Sequence, residues 1–89
     1  MLVLPADLTR TQANACLKML LQGLHSEPGP TVLVDASALG RFDSAALAVL
    51  LECGRQAQQL GKGLSIRAMP QRLRDLAALY GISELLPAA

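Results

Sequence analysis

The chain has 89 residues, enough for one small domain with a single core and too few for a second lobe enclosing a deep cleft. Hydrophobic residues make up 52%, which excludes a disordered chain, and aromatic residues only 2%, so the core has to be built from Leu, Val, Ile and Ala. A net charge of +1, with Phe42 and Tyr80 as the sole aromatics, leaves neither the basic surplus nor the stacking platform that nucleic-acid binding requires.

Leu2-Val3-Leu4 reads as a short strand stopped by Pro5. Asp7 or Thr9 then caps a helix whose apolar positions recur at Ala13, Leu17, Leu20, Leu21 and Leu24, with Arg10, Gln12, Asn14, Lys18 and Gln22 mostly between them. The run His25-Ser26-Glu27-Pro28-Gly29-Pro30 ends it. Thr31 to Asp35 is β-rich and nearly all apolar, as expected of a central strand covered on both faces. A polar loop, Ala36 to Asp43, leads into a helix from Ser44 to Leu60 that is apolar almost all round in its first half and mixed in its second, closed by Gly61-Lys62-Gly63. Leu64 to Ala68 alternates as a strand. Pro70 opens a last helix carrying Leu73, Leu76, Ala77 and Tyr80 on one face, and Gly81 ends it. Ile82 to Leu86 is expected to tuck back onto the sheet, with Pro87 as its stop.

Strands alternating with helices predict a single α/β domain over residues 1–89 with a mostly parallel sheet and right-handed crossovers. In such folds the loops at the carboxyl ends of strands meet ligands and partners. The Ala36 to Asp43 loop falls at that place.

The chemistry available there is limited. Ser44 beside Asp43 has no histidine base in reach, since the only histidine is His25 in another helix, and no Gly-x-Ser-x-Gly elbow is present, so a serine hydrolase is a remote reading. Cys16, His25 and Cys53 lack metal-ligand spacing, and the two cysteines sit in apolar helical patterns as buried free thiols. No cofactor motif is found. Asp43 or Ser44 suits a helix cap, and a phosphate on Ser44 would be tolerated at a helix N-terminus. The small-residue face of this helix, with Ala45, Ala48 and Val49 or their neighbours, fits either a docked partner protein or a neighbouring helix of the same chain. The longest apolar run, Ala45 to Leu51, is far shorter than the roughly 20 residues of a membrane span, so no direct membrane insertion is expected and the chain is expected to be soluble and cytoplasmic.

Leu33-Val34-Asp35, then Phe42-Asp43-Ser44-Ala45-Ala46-Leu47, then the helix ending at Gly61, Leu64-Ser65-Ile66 and Leu73 to Ile82 together resemble the STAS domain family, in particular its MlaB-like branch. That branch supplies a small subunit to the bacterial Mla phospholipid transporter. The resemblance implies a non-enzymatic accessory subunit that docks on the cytoplasmic ATPase of an ABC-type transporter, peripheral to the inner membrane. It implies docking through Asp43, Ser44 and the exposed face of the following helix (Ala45, Ala48), with Arg41 or Phe42 at the rim and Arg72, Arg74 and Asp75 of the last helix as a weaker part of the same surface.

Two departures from the family pattern matter. A typical STAS domain has one strand before the one matching Leu2-Val3-Leu4, so the sheet is expected to be a strand short, and an open edge suits homodimerisation. In anti-sigma-factor antagonists, the alternative reading, the phosphorylated hydroxyl falls at the position of Ala45 and the glycine after it at Ala46. Ser44 instead matches the hydroxyl residue that follows the aspartate, which favours the transporter branch and leaves Ser44 as the only phosphorylation candidate in the motif.

Overall fold

Apolar alternation in three short segments and helical spacing in three longer ones set the architecture. A computed structural model describes all of residues 1–89. The elements in order are β1 (Leu2–Val3), β2 (Asp7–Leu8), α1 (Ala13–Ser26), β3 (Thr31–Asp35), β4 (Arg41–Phe42), α2 (Ala45–Gln59), β5 (Gly63–Arg67), α3 (Gln71–Leu79) and a 3₁₀ turn (Ser83–Leu85). The main sheet is β1-β3-β5, all parallel, with β3 in the centre. Its register aligns Leu2, Val34 and Ile66 in one row and Val32 with Leu64 in the next.

Because side chains alternate across a strand, that register gathers the large aliphatics on one face. Val32, Val34 and Ile66 are almost completely buried there under the helices. The other face carries Val3, Thr31, Gly63 and Arg67, all exposed, with Leu33 and Ser65 half-buried. The sheet is therefore covered on one side, and the expectation of a strand buried on both faces is corrected: the one apolar residue of β3 on the second face is Leu33.

Helix α1 buries Cys16, Leu20 and Leu24, one residue per turn, against α2 and β1. Gly23 lets it close on the sheet, because a Cβ there would stand 2.6 Å from Leu2 Cδ2. Helix α2 buries Ala46, Leu47, Val49, Leu50, Cys53 and Ala57. Val49 thus belongs to the core and not to the outer helix face. No polar side chain is buried.

Two helices stop on the same device. Gly61 (φ 72°) and Gly81 (φ 71°) adopt the left-handed conformation. The N–H groups just beyond them turn back, Lys62 to the Ala57 carbonyl at 2.9 Å and Ile82 to the Ala77 carbonyl at 3.0 Å, which satisfies the helix ends. The tail does return to the sheet, but not through Ile82 to Leu86. Pro87 C=O accepts from Ile66 N–H at 2.8 Å and Ala89 N–H donates to Ile66 C=O at 2.9 Å, so Ala88 pairs in parallel beside β5. The segment before it winds into the 3₁₀ turn and buries Leu86. No helix is long and apolar enough to cross a membrane.

Candidate functional site

The loop after β3 begins with an Asx turn. Asp35 Oδ1 accepts the Ser37 N–H at 3.0 Å, and that bond, helped by the Ser37 side chain and by Arg67, holds the Asp35 carboxyl below the usual aspartate range. Leu39 then plugs into the core at 5% exposure, with its N–H on the Ala36 carbonyl at 3.1 Å. Sequence reasoning missed the pairing of Asp7–Leu8 with Arg41–Phe42. It forms a second, two-stranded parallel ladder, with Asp7 opposite Arg41 and Leu8 opposite Phe42. The Ala6 carbonyl accepts both Gly40 N–H at 2.9 Å and Arg41 N–H at 3.0 Å. Leu8, fully buried, roots this ladder in the core. Two-residue strands show no periodicity, and Asp7 looked like a helix cap. The helix in fact starts at Ala13, after a turn in which Gln12 Oε1 accepts from the Thr9 N–H at 2.9 Å and from Thr9 Oγ1 at 2.6 Å.

Asp43 is the joint of the site. Its Oδ1 accepts the Ala45 N–H at 2.9 Å and its Oδ2 accepts the Arg10 N–H at 3.1 Å. One carboxylate thus caps α2 and ties it to the entry of α1. Ser44 is already helical (φ −63°, ψ −17°) and its hydroxyl caps nothing. Of the two residues that suit a cap by sequence, the structure selects Asp43. Ser44 is exposed, and its side chain has no hydrogen-bond partner within the chain.

Along α2 from Ser44, one narrow stripe faces out: Ser44, Ala48, Glu52 and Arg55, the last two joined by an ion pair with Arg55 Nη2 2.6 Å from Glu52 Oε2. Ala45 is half-buried at its flank. The rest of the helix is covered by α1 and β5, so both alternatives for the small-residue face hold in part: a neighbouring helix covers one side and a strip of small residues stays open.

The fold also brings α3 to the loop. Phe42 and Asp43 share an open groove with Arg72, Asp75, Leu76 and Leu79. The Arg72 guanidinium lies 5.1 Å from the centroid of the Phe42 ring. Arg74 is not part of this surface: its Nε donates to the Met69 carbonyl at 3.3 Å, and it lines a different hollow with Ile66, Ala77 and Leu86. Arg41 is exposed on β4. His25 is exposed at the end of α1 and is not among the groups that contact Ser44 or Asp43. Cys16 and Cys53 are buried and unbonded, and burial, with Cys16 nearby, pushes the Cys53 thiol up to about 11. No three His, Cys, Asp or Glu side chains converge.

A one-sided parallel sheet whose central strand feeds a capped helix through a pinned loop is the arrangement of a STAS domain. A solved structure described as an anti-sigma-factor antagonist (STAS) domain protein from Planctomyces limnophilus matches it with a TM-score of 0.78, over 97% of this chain and 77% of that one, at 18% identity. The chain belongs to the MlaB-type STAS family: the family profile described as "Mlab, STAS domain" matches residues 1–87. No curated protein matches the chain.

Proposed function

We propose that this domain is a non-enzymatic accessory subunit that docks on the cytoplasmic ATPase of an ABC-type phospholipid transporter, and that it reaches the inner membrane only through that assembly. The observation that carries this reading is the division of labour between Asp43 and Ser44. Asp43 directs its carboxylate to partners inside the chain, whereas the Ser44 hydroxyl stands exposed and unpartnered at the head of a stripe continued by Ala48. A small polar contact beside small apolar residues, on a loop held from both sides, suits a protein partner that approaches closely. The family description supports the transporter branch.

The reading as a phosphoswitch is weaker for a physical reason. The helix N-terminus that would receive a phosphate already holds the Asp43 carboxylate, so a phosphate on Ser44 would meet a like charge. A hydrolase reading lacks a base at Ser44.

The test is capture of the purified ATPase subunit by wild-type and Ser44→Arg proteins. Ser44→Arg is expected to fold normally, because the side chain is exposed and unbonded, and to lose binding, because a new charge has to be desolvated at the docked surface. Equal capture by the two proteins rules out the contact. Incubation with ATP and candidate serine kinases, read by mass spectrometry, discriminates the regulatory alternative: stoichiometric phosphate on Ser44 with altered partner binding favours it.

A further inference from the structure

The charges in the groove between the loop and α3 are unequally engaged. Three charged side chains line it: Asp43, Asp75 and Arg72. Both carboxylates are bonded within the chain, Asp43 by the Arg10 and Ala45 N–H groups and Asp75 Oδ1 by Gln71 Nε2 at 2.9 Å. Arg72 makes no hydrogen bond and no ion pair. It is held by the Phe42 ring instead. A guanidinium so placed keeps its full fork of N–H donors free while its rotamer freedom is already restricted, which lowers the entropy lost when it pairs. Beside it, Leu79 is 78% exposed and Tyr80 57% exposed, the first of them on the groove wall with half-buried Leu76.

We infer that this groove is the second half of the docking surface and that it receives a segment of the protein partner presenting a carboxylate next to a large aliphatic or aromatic side chain. The carboxylate pairs with Arg72, and the apolar side chain seats between Phe42, Leu76 and Leu79. The occupant is defined by what the groove leaves unsatisfied, a single cation and an exposed apolar wall, and by its continuity with Ser44 through Asp43. The inference rests on the docking reading and adds to it the chemistry of the partner. An Arg and large apolar anchors are the residue types that dominate the energetics of such interfaces.

The experiment is calorimetric titration of the purified transporter ATPase subunit with wild type, Arg72→Gln, Arg72→Glu and Leu79→Ser. Both positions are exposed, so urea midpoints close to wild type are expected and are measured first. The expected result is weakening of about tenfold or more for Arg72→Glu, a smaller loss for Arg72→Gln and Leu79→Ser, and recovery of Arg72→Glu binding by one Asp→Lys or Glu→Lys change in the ATPase. Wild-type binding with unchanged Kd in all three variants overturns this inference and leaves the docking reading standing. Recovery by a change at a basic residue of the ATPase overturns the assigned chemistry. Absence of wild-type binding overturns the docking reading and this inference with it.

Discussion

Replacing Asp43 and Ser44 one at a time separates the residue that builds the site from the one it displays. Asp43→Ala removes a cap of α2 and a tie to the turn before α1. A lost cap costs about 0.5–2 kcal/mol. The second N–H, on Arg10, adds about 0.5–1.5 kcal/mol, reduced here because the group is exposed and water replaces the carboxylate. The sum for Asp43→Ala is about 2 kcal/mol. For a domain of this size each kcal/mol lowers Tm by roughly 4–8 °C, so the expected drop is about 8–15 °C. Ser44→Ala removes a hydroxyl with no partner at a position already helical, and is expected to stay within about 0.5 kcal/mol of wild type. Asp43→Asn keeps one acceptor oxygen for two N–H groups and is expected to fall between them. Urea unfolding followed by circular dichroism measures all three. A Ser44→Ala loss as large as that of Asp43→Ala would mean that the hydroxyl caps the helix, and the assignment of roles in the site would be wrong.

Two swaps of opposite kind are expected to stabilise the domain. Ala68→Gly relieves a left-handed alanine (φ 56°), and Gly54→Ala stiffens α2 where the new Cβ meets Leu64 Cδ2 at an ordinary 3.6 Å; each is expected to raise unfolding free energy by about 0.5–1 kcal/mol in urea titrations, and a loss in either case would contradict the backbone described. At pH 8 a thiol-specific disulfide reagent is expected to leave both cysteines unmodified in the native protein and to label both in urea, since burial raises both thiols and Cys53 to about 11. The pH dependence stems from Asp35, lowered chiefly by the Ser37 N–H, and from Glu52, lowered chiefly by Arg55. A carboxyl lowered in the folded state contributes stability that is complete above its unfolded pKa of about 4 and is lost as pH falls through the folded value. Unfolding free energy is therefore expected to be flat between about pH 5 and 7 as far as these groups are concerned and to decline below about pH 4, less steeply in Asp35→Asn; an identical acid limb in that variant would show that Asp35 contributes nothing to it.

The long elements were legible because their patterns repeat. Thr31 to Asp35, the helix after Ser44 and the alternation at Leu64 to Arg67 all lie where the residues place them. What escaped was set by pairing between distant residues. Nothing local in Asp7-Leu8 announces that it will lie beside Arg41-Phe42, and both are too short to show alternation. Val49 looked available to a partner because helical spacing alone cannot tell that α1 and the sheet together wrap more than half of α2. Of the charges on the last helix, Arg72 and Asp75 are one turn apart and reach the loop together, while Arg74, two residues on from Arg72, turns to the other side. The loop and Ser44 were legible as a place; the carboxylate that holds it and the groove beside it needed the fold.

The all-parallel pairing also fixes how this chain must fold. Each of its ladders, β1 with β3, β2 with β4 and β3 with β5, joins segments that lie on opposite sides of an intervening helix, and no hairpin is available as a local seed. During synthesis β1 and β2 therefore wait, unpaired, until β3 and then β4 emerge from the ribosome, and loop-closure entropy has to be met before any sheet hydrogen bond offsets it. Folding is accordingly slower than that of a helical bundle of equal length, and the segment from Leu2 to Leu8 is the stretch most open to capture by a chaperone before Phe42 arrives.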